Sequence, residues 1–321
     1  MKIVLHAGSL KTGSTYLQSL IWRNLPAFAS AGVHIPTTGV LSEHHYNIAR
    51  AAGFGYPAQR LTEDEADVFL RDISAELAAG ENEVALLSSE HFDLGVSPDS
   101  VARLQASLVG HELKVVIYLR NQVDLIQSLY FENLKWGGIS EFPTFAAQQL
   151  RNGTLACDTR IAHWINAGIE VCALDYNQEK VALAAGFLGL IPNAPPLDSL
   201  TKPSNGINES LAPEAMEHLR RINLLVSNPD ERRLAYVDLY KRLHKRRSQW
   251  TKSRQLPLPT ALIDALPALS VSNRRLAEMI GKGVDFLQGD LVAYAAQRGG
   301  EAYLDMDLFY ETSSIAAPSP S

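Results

Sequence analysis

An α/β fold built around a parallel sheet, with a helical C-terminal extension, is what this sequence predicts. Two observations carry the prediction. Short apolar, β-branched runs alternate with helical patterns over about residues 1–190, and beyond Pro192 the texture becomes helical throughout. In chain order, Lys2-Ile3-Val4-Leu5-His6 reads as a short buried strand, and Tyr16 to Trp22 opens an apolar helical pattern. Gly32 to Pro36 is a short extended piece, and helices are predicted over His44–Ala52 and Glu63–Ala79. Glu83 to Leu87 is a strand that runs into Ser88-Ser89-Glu90-His91-Phe92. Ser97 and Pro98 then supply an N-cap and a first-turn proline for the next helix. Leu113 to Leu119 is a β-branched strand, followed past Arg120 and Asn121 by another helix. Phe142 to Trp164 reads as helix with a break near Asn152-Gly153, Ile169 to Leu174 as strand, and Glu179 to Leu188 as helix. Pro192 to Asn208 is a long connection rich in Pro, Asn, Ser and Gly. Helical patterns follow over Leu211–Val226, Glu231–Trp250 and Pro259–Gly281. The expected organisation is an α/β core over 1–190, a helical C-terminal part of the same domain over 191–311, and a disordered tail over 312–321.

Composition narrows the function classes. A chain of 321 residues can bury a substantial core, and a formal net charge of −6 argues against a general nucleic-acid or anionic-membrane binder. The two cysteines, Cys157 and Cys172, are too few and wrongly spaced for a zinc site or a disulfide framework. Cys172, within the apolar run from Ile169 to Leu174, reads as a buried small hydrophobe. No apolar stretch approaches the ~20 residues needed to span a bilayer. With the first strand at the very N-terminus, no leader peptide is expected and a cytoplasmic location is.

The most informative stretch is Gly8-Ser9-Leu10-Lys11-Thr12-Gly13-Ser14-Thr15, which joins the first strand to the first helix. Free N–H groups at a helix N-terminus, together with the helix dipole, make an anion site there. The G-x-x-x-x-G spacing looks like that of an NTP-binding P-loop, but Ser14 stands where such a loop needs lysine, and Lys11 is the lysine present. The expected fold is therefore a three-layer, P-loop-like one. Read as G-x-x-K-T-G-[ST]-[ST], the segment resembles the 5′-phosphosulfate loop of sulfotransferases that use 3′-phosphoadenosine-5′-phosphosulfate (PAPS), bacterial carbohydrate sulfotransferases included. A second element supports the likeness. Those enzymes carry an Arg at the end of a later strand and a Ser eight residues on, which hold the donor's 3′-phosphate; Arg120 and Ser128 have that spacing. A guanidinium forks onto phosphate and a hydroxyl adds a neutral donor, so the residue types suit the task.

The resemblance implies transfer of a sulfuryl group from PAPS to an acceptor hydroxyl or amine by in-line displacement. Lys11 would neutralise the leaving group, and Gly8, Lys11, Thr12, Gly13, Ser14, Thr15, Arg120 and Ser128 would hold the donor. No metal is expected, since no HExxH, clustered Asp-x-Asp or CxxC occurs. Two places offer a general base. Glu90, with His91 beside it, ends the Glu83 strand, where open α/β sheets place their ligands. Glu43-His44-His45 follows the first helix, in the region where some family members keep a catalytic glutamate or histidine, and His44 and His45 would titrate near neutral pH.

The family's third donor contact, an R-K-G-type segment, is absent; Lys202, with Ser204 and Asn205, is the candidate replacement. Asn208-Glu209-Ser210-Leu211 is similar to a segment of bacterial members. Lys241, Arg242, Lys245, Arg246, Arg247, Lys252 and Arg254 form a basic block that reads either as a solvated helical face or as a groove for an anionic glycan. Trp136 and Trp250 could stack on sugar rings, whereas Trp164 reads as core. The expected partner is an acceptor, a glycan or another hydroxylated molecule, and not nucleic acid; no integral membrane segment is expected. Two other readings differ in kind: a P-loop kinase or NTPase, which should carry lysine at position 14, and a non-catalytic binding protein of the same fold.

Overall fold

The computed structural model describes residues 1–203, 211–245, 255–297, 306–313 and 315–318. It is an α/β structure around five parallel strands, in the order β2-β3-β1-β4-β5. Along the chain, β1 (Lys2–His6) leads through the glycine loop into α1 (Ser14–Arg23) and α2 (Leu25–Ser30). Then come β2 (Val33–His34), α3 (Tyr46–Ala51), α4 (Glu63–Ala79), β3 (Val84–Ser88), α5 (Pro98–Ser107) and β4 (Glu112–Leu119). Next are α6 (Gln122–Lys135), α7 (Phe142–Arg151), α8 (Cys157–Asn166), β5 (Glu170–Asp175), α9 (Tyr176–Glu179) and α10 (Leu183–Leu188). The C-terminal helices are α11 (Pro213–Leu225), α12 (Pro229–Lys245), α13 (Thr260–Met279), α14 (Leu291–Gln297) and α15 (Met306–Ser313).

The chain divides into two compact units. The first comprises residues 1–121, 156–203 and 271–289, the second residues 122–155, 204–270 and 290–321. The units therefore interleave along the chain, in contrast to the sequential division expected near residue 190.

The first unit owes its three layers to strand periodicity. Successive side chains of a strand leave opposite faces, and a parallel sheet buries both. Ile3, Leu5, Ala85, Leu87, Val115, Ile117 and Leu119 form one core with Ile48 of α3, Ile73 of α4, Leu104 of α5 and Trp164 of α8. Val4, Leu86, Val116 and Tyr118 form the other, with Leu17 and Leu20 of α1, Phe28 of α2 and Phe187 of α10. Trp164 is fully buried and stacks on Phe54 with centroids 5.3 Å apart, in line with its expected core role.

Local chemistry sets several element ends. In α4 the Glu65 N–H donates to Thr62 Oγ1 at 3.3 Å, and the Thr62 N–H donates to Glu65 Oε2 at 2.9 Å, a reciprocal cap. Ser97 and Ser100 do the same for α5, with Pro98 in its first turn. Where the elements differ from expectation, local causes are visible. The predicted Glu179–Leu188 helix is two short helices, the first started by Asp175, whose carboxylate accepts from the Asn177 N–H at 2.8 Å. Cys172 is only partly buried because β5 is an edge strand; Cys157 is the buried thiol. The expected tail loses its first residues to α15, and Ile315 beyond that helix is 8% exposed.

In the second unit, Tyr130 of α6 packs between Phe142 and Phe145 of α7. The buried Asn223 of α11 donates to the carbonyls of Leu134 and Gly138, both at 2.9 Å. Among the described residues, no helix is long and apolar enough to cross a membrane.

Candidate functional site

The glycine loop follows the central strand β1, and its neighbours β3 and β4 end beside it. The C-terminal ends of three adjacent parallel strands thus deliver the loop, Glu90 and Arg120 to one edge of the sheet, the edge where open α/β sheets bind ligands. The loop is held to one shape by its glycines. Gly13 sits at φ 82, in the left-handed region, and a Cβ there would lie 2.6 Å from Leu183 Cδ2. A Cβ on Gly8 would lie 2.8 Å from Ser14 Cβ and 3.2 Å from the His6 ring. Lys11, too, is left-handed, at φ 64, an uncommon conformation for a residue with a side chain. Gly13 is the N-cap residue of α1, so the first N–H groups of that helix, which have no intrahelical carbonyl, face this loop.

Two predicted residues come to the loop. Arg120, the residue after β4, donates from Nη1 to the Lys11 carbonyl at 3.4 Å, and its guanidinium lies 5.5 Å from the Tyr176 ring centroid. Glu90, at the start of the 3₁₀ turn after β3, accepts a hydrogen bond from Ser14 Oγ at 3.1 Å. Around these, Thr12 and Ser14 are buried, Lys11 is half-buried and Thr15 is exposed.

The histidines behave differently from one another. His45 is 1% exposed and both of its ring nitrogens are committed. The Ser88 N–H donates to Nδ1 at 3.0 Å, which leaves Nε2 protonated and donating to the Pro36 carbonyl at 2.8 Å. Burial pushes its pKa down to about 4. His45 is thus a neutral cross-tie between β3 and the segment after β2, a structural assignment in place of the general-base role expected of it. His44 is half-buried, its Nδ1 3.2 Å from Ser89 Oγ, and it stacks on His91 with centroids 5.9 Å apart. Burial also lowers its pKa. Tyr46 meets both rings edge-on, at 5.5 and 4.5 Å.

Ser128 belongs to the second unit, where its Oγ donates to the Asp124 carbonyl one turn back on α6, at 3.1 Å. Lys202 is exposed, and its neighbour Thr201 is pinned to Asn24 at the C-terminal end of α1 by bonds of 2.8 and 2.9 Å. The loop is at the opposite end of that 10-residue helix, about 15 Å away at 1.5 Å per residue. Lys202 thus follows a residue held at the far end of α1 from the loop; Ser204 and Asn205 lie outside the described residues. Trp136 is 62% exposed with the Arg233 guanidinium 3.7 Å from its ring centroid, so one face is already covered. Of the basic block, Lys241 and Arg242 are exposed and Arg242 pairs with Asp238 at 2.7 Å. The other side chains of that block, Trp250 and the 208–210 segment lie outside the described residues.

Several contributors carry no motif in the sequence. His6, the last residue of β1, is buried beneath Gly8, with Nδ1 2.8 Å from Ser88 Oγ and a pKa pushed down to about 4 by burial. A polar residue ending an apolar strand just before a glycine loop is the signal that marks it. Tyr56, half exposed, has its pKa raised by partial desolvation and by the Glu90 carboxylate nearby. Ser9, Asp93 and Arg160 form a chain of bonds behind the loop. A cavity of about 250 Å³ in the second unit, lined by Tyr130, Phe142, Pro213, Glu217, Arg220 and Leu256, contains none of the predicted residues. Among the described residues, no group of three or more His, Cys, Asp or Glu side chains is arranged to hold a metal ion.

Fold and site together define an α/β protein with a glycine loop at the C-terminal edge of a parallel sheet, flanked by one carboxylate and one guanidinium. The chain matches no protein-family model, curated protein or solved structure in comparisons with each.

Proposed function

We propose that this protein is a cytoplasmic sulfotransferase that moves a sulfuryl group from PAPS to a hydroxyl or amine of an acceptor, with a carbohydrate as the favoured acceptor class. The observation that carries the reading is the contact of Arg120 with the Lys11 carbonyl, which sets a strand-end arginine against a G-x-x-K-T-G-S-T loop. Lys11 and Arg120 then serve one anion site, and neither stands at the position of an NTPase lysine.

PAPS supplies the sulfuryl group. The loop N–H groups of Thr12 to Thr15 take the 5′-phosphate, and Arg120 takes the 3′-phosphate. The Lys11 ammonium offsets the charge that builds on the leaving phosphate oxygen as its bond to sulfur breaks. Glu90 accepts the proton of the attacking hydroxyl as oxygen bonds to sulfur, and solvent later takes that proton away. Its bond to Ser14 keeps the carboxylate beside the loop, where attacker and leaving group must be in line.

The test is titration calorimetry of 3′-phosphoadenosine-5′-phosphate against ADP and ATP–Mg²⁺. Binding confined to the 3′-phosphorylated nucleotide is the expected result, and preference for ATP–Mg²⁺ would replace this reading with a kinase or NTPase. A protein that binds the donor but never consumes it, across an acceptor screen, would be a binding protein.

A further inference from the structure

Ser9 lies between the first loop glycine and Lys11 and is 4% exposed. Both of its oxygens are engaged. Its carbonyl accepts from Thr12 Oγ1 at 2.6 Å, which closes the turn containing Lys11, and its Oγ donates to Asp93 Oδ2. Asp93 ends the 3₁₀ turn after β3 and is 4% exposed. Its carboxylate also takes two bonds from Arg160 of α8: Nε to Oδ1 at 3.0 Å and Nη2 to Oδ2 at 3.3 Å. Arg160 is in turn fixed by Nη1 to the Ala156 carbonyl at 3.4 Å.

A left-handed lysine persists only where its surroundings over-determine it. Here the Thr12–Ser9 bond fixes the turn from inside, and the Ser9–Asp93 bond fixes it to a carboxylate that a forked guanidinium holds still. The pair also solves a charge problem. A lone buried carboxylate behind an anion loop would repel the ligand, and Arg160 cancels it. We propose that Asp93 and Arg160 are positioning residues for the glycine loop: a buried ion pair that, through Ser9 and Thr12, presets the loop for an anionic nucleotide before any ligand arrives. Only the identity of that nucleotide rests on the sulfotransferase reading.

Ser9→Ala cuts the link and leaves the ion pair intact; Ser9→Thr keeps the hydroxyl. Backbone ¹⁵N relaxation of the free protein should show residues 9–13 rigid in the wild type, with order parameters of about 0.85, and flexible in Ser9→Ala, below about 0.6. Affinity for 3′-phosphoadenosine-5′-phosphate should fall at least tenfold in Ser9→Ala and recover in Ser9→Thr, with thermal midpoints close to wild type, which a merely structural bond would not give. Arg160→Gln should weaken affinity further, and if that variant fails to fold, Ser9→Ala still decides. Unchanged order parameters in Ser9→Ala overturn the brace, whatever the ligand. Loss of order in Ser9→Ala, with a wild type that ignores the 3′-phosphorylated nucleotide, keeps the brace and rejects the donor assignment.

Discussion

Glu90 and His45 are both of a residue type that can act as a base, and their surroundings separate them. Glu90 touches the loop through Ser14, whereas His45 has both nitrogens bound in the fold. Glu90→Gln should therefore lower turnover by about 10²–10⁴-fold, the usual worth of a general base, with donor affinity close to unchanged. Single-turnover kinetics beside calorimetry separates the two. His45→Ala should act on stability instead: it strands the Ser88 N–H and the Pro36 carbonyl, at about 1–3 kcal/mol each, read by urea unfolding. The buried histidines also set a pH dependence. His6 and His45 titrate at about 4 when folded, against an ordinary 6.5. Between those values the unfolded chain takes up protons that the fold refuses, so stability is full above about pH 6.5 and falls as pH drops towards 4. A denaturation midpoint that stays constant from pH 7 to 4.5 would contradict this.

The elements carry their own test, because two left-handed glycines separate backbone strain from crowding. Gly110 sits at φ 85, and a Cβ there would meet nothing within 4 Å, so Gly110→Ala should cost only the left-handed penalty, about 1–2 kcal/mol. Gly13→Ala, at φ 82, adds the 2.6 Å approach to Leu183 and should cost more, with anion affinity lost as well. Thermal or urea unfolding of the two variants side by side gives the difference. Elements whose signals are local were legible in the sequence. α4 spans Glu63–Ala79 as predicted because Thr62 and Glu65 mark its start, and the strands were found from apolar runs. α14 and α15 were not, since each is only about two turns long, too short to display a helical period. The loop and Arg120 were legible from spacing, but Ser9, Asp93 and Arg160 were not. Asp93 and Arg160 are 67 positions apart, and nothing in a single sequence says that one carboxylate will meet one guanidinium at that distance. Position along the chain is equally silent about where Lys202 lies: its neighbour Thr201 is tied by Asn24 to the end of α1 away from the loop.

At the scale of the whole molecule, a ligand that binds only the folded state raises its stability by mass action. 3′-phosphoadenosine-5′-phosphate at a hundred times its Kd should add about 2.7 kcal/mol, visible as a higher thermal midpoint that ADP at the same concentration does not give. The sheet order has a consequence for how such a molecule comes into being on the ribosome. β1 is the middle strand, yet its partners are Val84–Ser88 and Glu112–Leu119, about eighty positions or more further along. During synthesis at about 5–20 residues per second, the centre of the sheet therefore waits on the order of ten seconds before its second neighbour exists. Ile3, Val4 and Leu5, which end fully enclosed, are the residues a nascent-chain chaperone would meet during that interval.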